Sequence, residues 1–202
     1  MKKLRIAEIS VAFALVIAVV FSVIGFGKEC EDIRSDVVRL HILANSDSEA
    51  DQQVKLAVRD ALLNGGKELF NGTVNKDSAE YMLEVQKDEL IRIADNVLKE
   101  NGFDYTAQIY LTEEYFTTRT YENFTLPAGE YLALKVVLGS GEGHNWWCVM
   151  FPPLCLPAAS ENADIDAVFG EDGADIIQSG AKYEIRFKIV EIIESIKSHF
   201  LL

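Results

Sequence analysis

Between Ile9 and Gly27 the chain carries no charged residue, and no polar stripe marks any side of the helix such a run would form. Nineteen residues at ~1.5 Å rise span ~28 Å, close to the ~30 Å hydrocarbon thickness of a bilayer. A core helix would show a polar side, so the run reads as a leader or anchor. Downstream the period changes. "VVRLHIL", Val37 to Leu43, is β-branched and apolar and predicts a strand. "ANSDSEADQQ" follows, with Ser46, Asp47 and Ser48 available as helix caps. Val54, Ala57, Val58, Ala61 and Leu62 recur at helical spacing until Gly65-Gly66, where a stop or bend is expected.

A second helix is expected from Asp77, with Asp77 and Glu80 as a capping box and Tyr81, Val85, Ile91, Ala94 and Leu98 as its apolar stripe. Asn101-Gly102 ends it. Residues 104–112 alternate, Glu130 to Leu138 form a strand, and Trp146 to Phe151 form another, which the glycine-rich stretch between them joins as a hairpin. Acidic, glycine-containing loops are expected from 158 to 182, then a last helix with Phe187, Val190, Ile193 and Ile196 at three-residue steps. The class is α+β: a mainly antiparallel sheet with helices packed on one face, preceded by the hydrophobic leader or anchor helix.

The compartment follows from the start of the chain. Met1-Lys2-Lys3-Leu4-Arg5 ahead of the apolar run is an export pattern, and the positive-inside rule puts everything after Lys28 on the far side of the membrane. Gly25-Phe26-Gly27 supplies small residues for cleavage after Gly27; uncleaved, the run stays as an anchor. Residues 1–29 are thus the leader and 30–202 a single exported domain, since no Pro/Ser-rich linker or repeat divides them. The net charge of -13 argues against nucleic acid and against adhesion to anionic lipid; protein or cation partners fit better.

"GSGEGHNWWCVMFPPLC", residues 139–155, holds both tryptophans and two of the three cysteines. A thiol hydrolase would need Cys148 as nucleophile and His144 as base, but on a strand the two lie roughly 13 Å apart by rise. For zinc, Cys148, Cys155, His41 and His144 lack C-x-x-C and H-x-x-x-H spacing. The glycines at 139, 141 and 143 lack the Lys-Ser/Thr of a phosphate cradle. No metal or cofactor is implied. The six residues between Cys148 and Cys155, Pro152-Pro153 among them, can reverse the chain and bridge the sulfurs; two buried free thiols are the alternative. Trp146 and Trp147 point to opposite faces of a strand, so one joins the core while the other faces outward, unless helices bury both. His41 reads as a hydrogen-bonded, partly buried strand histidine, and Asp51, Lys55 and Arg59 as a solvated helix face with Asp51 paired to Lys55.

"RLHILANSDSEADQQVKLAVRDALL" (Arg39 to Leu63) and "LPAGEYLALKVVLGSGEGHNWWCVMFPPLC" (Leu126 to Cys155) resemble the two signature regions of the stage II sporulation protein R family. The resemblance implies a signalling protein, not an enzyme, made in the forespore and exported into the space between forespore and mother-cell membranes. It implies a partner too: a membrane-embedded aspartic protease that matures the precursor of the sigma-E transcription factor. It promotes Asn45, Ser46 and Asp47 from helix cap to candidate contact surface, beside Asn145, Trp146, Trp147, Pro152 and Pro153. The expected function is that of a ligand, with a secreted thiol or cell-wall hydrolase using Cys148 and His144 as the alternative.

Overall fold

The computed structural model describes residues 2–70, 75–155 and 165–200. The chain divides into two compact units, a sheet unit of residues 35–115 and 130–168 and a helical unit of residues 1–34, 116–129 and 169–202.

The sheet unit is α+β. Its strands are β1 (Val38–Leu43), β2 (Ala107–Phe116), β5 (Gly129–Leu138) and β6 (Asn145–Phe151), in the order β2-β5-β1-β6. β1 runs parallel to β5 and antiparallel to β6, so the sheet is mixed. The expected hairpin of β5 and β6 does not form: β1 lies between them. The physical reason is β1 itself, whose buried apolar residues earn a place with strands on both sides, so the glycine-rich stretch must cross over its end.

Alternation along β1 sends Val38, Leu40 and Ile42 to one side, where they pack with α2 (Glu49–Leu69), α3 (Lys76–Val85) and α4 (Lys87–Glu100). Val54, Val58 and Leu62 of α2 and Leu90, Ala94 and Leu98 of α4 complete this core. Gly65-Gly66 does not stop α2, which runs on to Leu69. The glycines serve close packing: a Cβ at Gly66 would lie 2.6 Å from Met150 Cε of β6. The expected single second helix is two, broken at Gln86, and its cap is Asn75, whose side chain accepts from the Ser78 amide at 2.9 Å. α3 turns Ala79 and Leu83 inward and leaves Tyr81 and Val85 exposed, so the stripe expected through those two does not hold.

In the helical unit, α1 (Lys2–Ser35) is free along its apolar length and becomes a packed helix from Phe26 onward. Phe26, Cys30, Ile33 and Arg34 recur at helical spacing and are buried. A two-stranded ribbon, β3 (Arg119–Thr120) with β4 (Thr125–Leu126), belongs to the same unit. The acidic stretch expected to be loop from 158 to 182 is helical where described: α5 (Ile165–Gln178), kinked at Gly170, and a 3-10 turn (Gly180–Tyr183). Ala174, Ile176 and Ile177 are buried, a periodicity that the acidic and glycine content obscured. Residues 156–164 of that stretch lie outside the described residues.

The last helix is α6 (Glu184–Phe200). Phe187 and Val190 are buried, while Ile193 and Ile196 are exposed. Three-residue steps fall ~60° short of a full turn each time, so the row drifts off the core face within two steps.

Candidate functional site

The loop after β1 and the loop between β5 and β6 meet at one corner of the sheet unit. Asn45 is the clamp. Its Oδ1 accepts from the Ser140 amide at 2.9 Å, and its backbone carbonyl accepts from the Ser140 hydroxyl at 2.7 Å and the Glu142 amide at 3.3 Å. The Gly143 amide donates to the Ala44 carbonyl at 2.8 Å. The crossing is too tight for side chains: a Cβ at Gly143 would sit 2.3 Å from the Ser46 carbonyl oxygen, and one at Gly139 2.3 Å from Asn45 Oδ1. The glycines that resembled hairpin punctuation are what lets one loop lie on the other.

Beneath the crossing, Ser48 caps α2, its hydroxyl accepting from the Asp51 amide at 3.1 Å. Asp51 is buried, and its carboxylate accepts from Ser46, Tyr105 and, at 3.1 Å, Asn45 Nδ2. Burial works against the charge, yet the hydrogen bonds from Ser46, Tyr105, Asn45 and Ser48 outweigh it and hold the carboxyl below its ordinary value. The Tyr105 phenol is pushed up, by burial first and then by the adjacent carboxylate. Lys55 is buried as well and donates to Gln52 Oε1 at 2.6 Å and the His144 carbonyl at 2.8 Å. Desolvation lowers its pKa, partly offset by Asp47. The expectation of a solvated Asp51–Lys55 pair is therefore overturned: the crossing loop covers the first turns of α2, and each charge is satisfied by different partners.

At the surface, Asp47 accepts from the His144 amide at 2.6 Å and pairs with the His144 ring, both side chains being more than half exposed. The hydrogen bonds from the His144 side chain and amide lower the Asp47 pKa. Asn45, Ser46 and Asp47 thus come together with Ser140, Gly143 and His144, which spacing alone did not single out as partners.

On the sheet face away from the helices, His41 Nδ1 is 2.7 Å from Glu114 Oε2, and Nε2 is 2.8 Å from Asn145 Oδ1. Lys135 donates to Glu114 Oε1 at 2.6 Å. Burial would raise the Glu114 pKa, but the bonds from Lys135 and His41 lower it. Trp147 stacks on His41, with ring centroids 5.6 Å apart. Trp146, on the opposite face, packs against the core with the Arg59 guanidinium 4.7 Å above its ring. Both tryptophans are partly covered, neither wholly buried nor freely exposed.

Cys148 and Cys155 are joined, with Cα atoms 6.2 Å apart, and Cys30 is free and buried. Pro152 is buried behind a cis peptide bond from Phe151, so of the two prolines only Pro153 keeps exposed surface. Among the described residues, no three His, Cys, Asp or Glu side chains gather as a metal site.

An α+β unit with a polar corner built from two distant segments is carried on a chain whose first helix is long and apolar enough to cross a membrane, which is compatible with a signal anchor or membrane association. The family model of stage II sporulation protein R matches residues 34–161, and the chain belongs to that family. It is similar to stage II sporulation protein R of Bacillus subtilis (strain 168), 37% identical over 124 residues. That match covers 61% of this chain and 55% of the relative, so it spans little more than half the relative's length. No solved structure matches the chain. Family membership supports a role in sporulation.

Proposed function

We propose that the protein is a messenger of endospore formation that acts as a ligand and not as an enzyme. It is exported, or held by α1, into the space between forespore and mother-cell membranes. There it engages a membrane-embedded aspartic protease and binds its active arrangement more tightly than its inactive one, which is all that activation requires. The protease then matures the sigma-E precursor. The observation that carries this reading is the corner where Ala44 holds Gly143, Asn45 holds Ser140 and Asp47 holds His144: both stretches that resemble the family signatures contribute to one surface. A buried polar network holds it in a single shape, as a preorganised binding surface needs. The thiol hydrolase has less support, because Cys148 is buried and tied to Cys155.

The test is activation of the receptor protease by purified folded variants. Asp47→Ala removes an exposed contact, so the variant should melt close to wild type. Its half-maximal concentration for activation should nevertheless rise about tenfold. Cys148→Ser, once shown to be folded and receptor-bound, should activate to a near-normal maximum. Complete loss of activation in that bound variant would point to chemistry at the sulfur and restore the hydrolase.

A further inference from the structure

α6 has two apolar faces. At 100° per residue, Phe187, Val190 and Glu194 fall within a ~60° arc, and this is the side turned toward α1. Phe26 stacks on Tyr183 and meets Phe187 edge-on, with ring centroids 5.5 and 5.4 Å apart, while Arg34 lies 3.7 Å from Glu194. Ile185, Ile189, Ile192 and Ile196 fall within another ~60° arc on the opposite side. Ile185 is 79% exposed, Ile192 53% and Ile196 52%, with Ile189 partly covered. No other large apolar side chain among the described residues is as exposed as Ile185.

The steps between these isoleucines are four, three and four residues. That is the d-a-d-a spacing of a coiled-coil seam, which keeps one line of knobs facing a partner helix. Three- and four-residue steps mark any one-sided apolar stripe on a helix, so the length and orientation of the row are what select its occupant. Lipid would reach only the Ile185 end, because the row climbs ~17 Å along α6 in the direction that α1 takes on leaving its apolar run. We infer that this row is a contact between two copies of this chain, packed through parallel α6 helices.

The orientation argues for a second copy. Phe26 to Arg34 on α1 matches Phe187 to Glu194 on α6, so the two helices run the same way. Copies inserted through α1 into one membrane point in the same direction, which brings identical rows side by side in register about a two-fold axis. The flanks permit it. Arg186 and Lys188 border the row, Lys188 is neutralised by Glu191 at 3.0 Å, and Glu194 is turned inward to Arg34, so no carboxylates are forced together. The inference needs α1 in a membrane and does not depend on the receptor. Joined to the proposed function, a paired messenger would present two copies of the Asn45–His144 corner.

The experiment uses the full chain in phosphatidylethanolamine/phosphatidylglycerol vesicles, with single cysteines introduced by Ile185→Cys, Ile192→Cys, Ile196→Cys and, off the row, Glu184→Cys. Under mild oxidation the three row positions should each cross-link to themselves, while Glu184→Cys and the wild-type chain, with Cys30 buried, should not. Ile189→Glu with Ile192→Glu should cut the cross-linked fraction of an Ile185→Cys chain by about tenfold or more, since a charge in a seam is left unpaired. Amide exchange at Phe187 and Val190 should stay unchanged, showing that the unit remains folded. Equal cross-linking at Glu184→Cys, cross-linking only between Ile185→Cys and Ile196→Cys chains, or a single copy by mass in nanodiscs overturns the inference. Loss of receptor activation with cross-linking intact would count against the proposed function alone.

Discussion

The two units use polar groups in opposite ways. In the sheet unit, Asp51 and Lys55 are buried and satisfied by named partners from other segments, Tyr105 and the His144 carbonyl among them. In the helical unit, apart from Arg34, which is buried and donates to the Ala128 carbonyl at 2.9 Å, the ion pairs join residues near in sequence and keep their lysine in solvent, as in Lys188–Glu191 and Lys182–Asp175. Surface pairs of that kind contribute little to stability, whereas a buried network left half-satisfied is costly. The first unit is specified by a polar crossing that tolerates one arrangement. The second is specified by apolar period.

The largest effect that would break this contrast concerns the helical unit. Phe187→Ala removes a 2% exposed aromatic and should cost about 3 to 5 kcal/mol. Amide exchange should report the opening within α6. A cost near that of a surface substitution would mean that apolar packing does not specify this unit.

Asp51→Ala comes next. It strips the shared acceptor from Ser46, Asn45 and Tyr105, and should cost about 2 to 3 kcal/mol. Faster exchange should concentrate in residues 44–52 and 139–144. A chain that melts like wild type would show that the network merely decorates the crossing.

The Cys148–Cys155 bridge sharpens the comparison, because it is confined to the sheet unit. Mass spectrometry without reduction should find these two joined and Cys30 free in the exported chain. Closing so short a loop should contribute about 2 to 3 kcal/mol, read as the difference in urea midpoint between wild type and Cys155→Ser. Two alkylatable thiols at these positions would remove it.

Acid gives the smallest effect. Asp51 and Glu114 both have folded-state pKa values below the ordinary carboxylate range. Groups depressed in this way contribute stability that is present above the unfolded value, about 4, and lost as pH falls through the folded values. The sheet unit should therefore hold its stability from neutral pH down to about 5 and weaken below about 4. In the helical unit Asp175 is held at about 2 by bonds from Tyr183, Lys182 and Ser179, but it is solvent-exposed and should contribute little. Equal acid sensitivity in both units, followed by residue-level exchange, would erase the distinction.

Much of this architecture was legible along the chain. The uncharged run to Gly27 needed only its length to read as a span, and β1 needed only its β-branched run. The strands at Glu130 and Trp146 and the cap at Ser48 also stand where local chemistry put them. Opposite facing of Trp146 and Trp147 follows from strand period alone. Local pattern failed where a residue answered to a distant neighbour. Gly66 resembles a helix stop until Met150 is seen against it, and Asp51 and Lys55 resemble a solvated pair until the glycine loop covers them.

By itself, the sequence determined an α+β chain with a long apolar N-terminal helix, its family, and the residue types at the candidate corner. Each of these rests on composition, period or motif, which are properties of neighbours in the chain. The tertiary structure decided that β1 separates β5 from β6, which turns the glycine-rich stretch from a hairpin turn into a crossing and brings His144 to Asp47. It also decided which side of α6 is core. Strand order and helix rotation are settled by which apolar surfaces find each other across many residues, and no local periodicity encodes that choice.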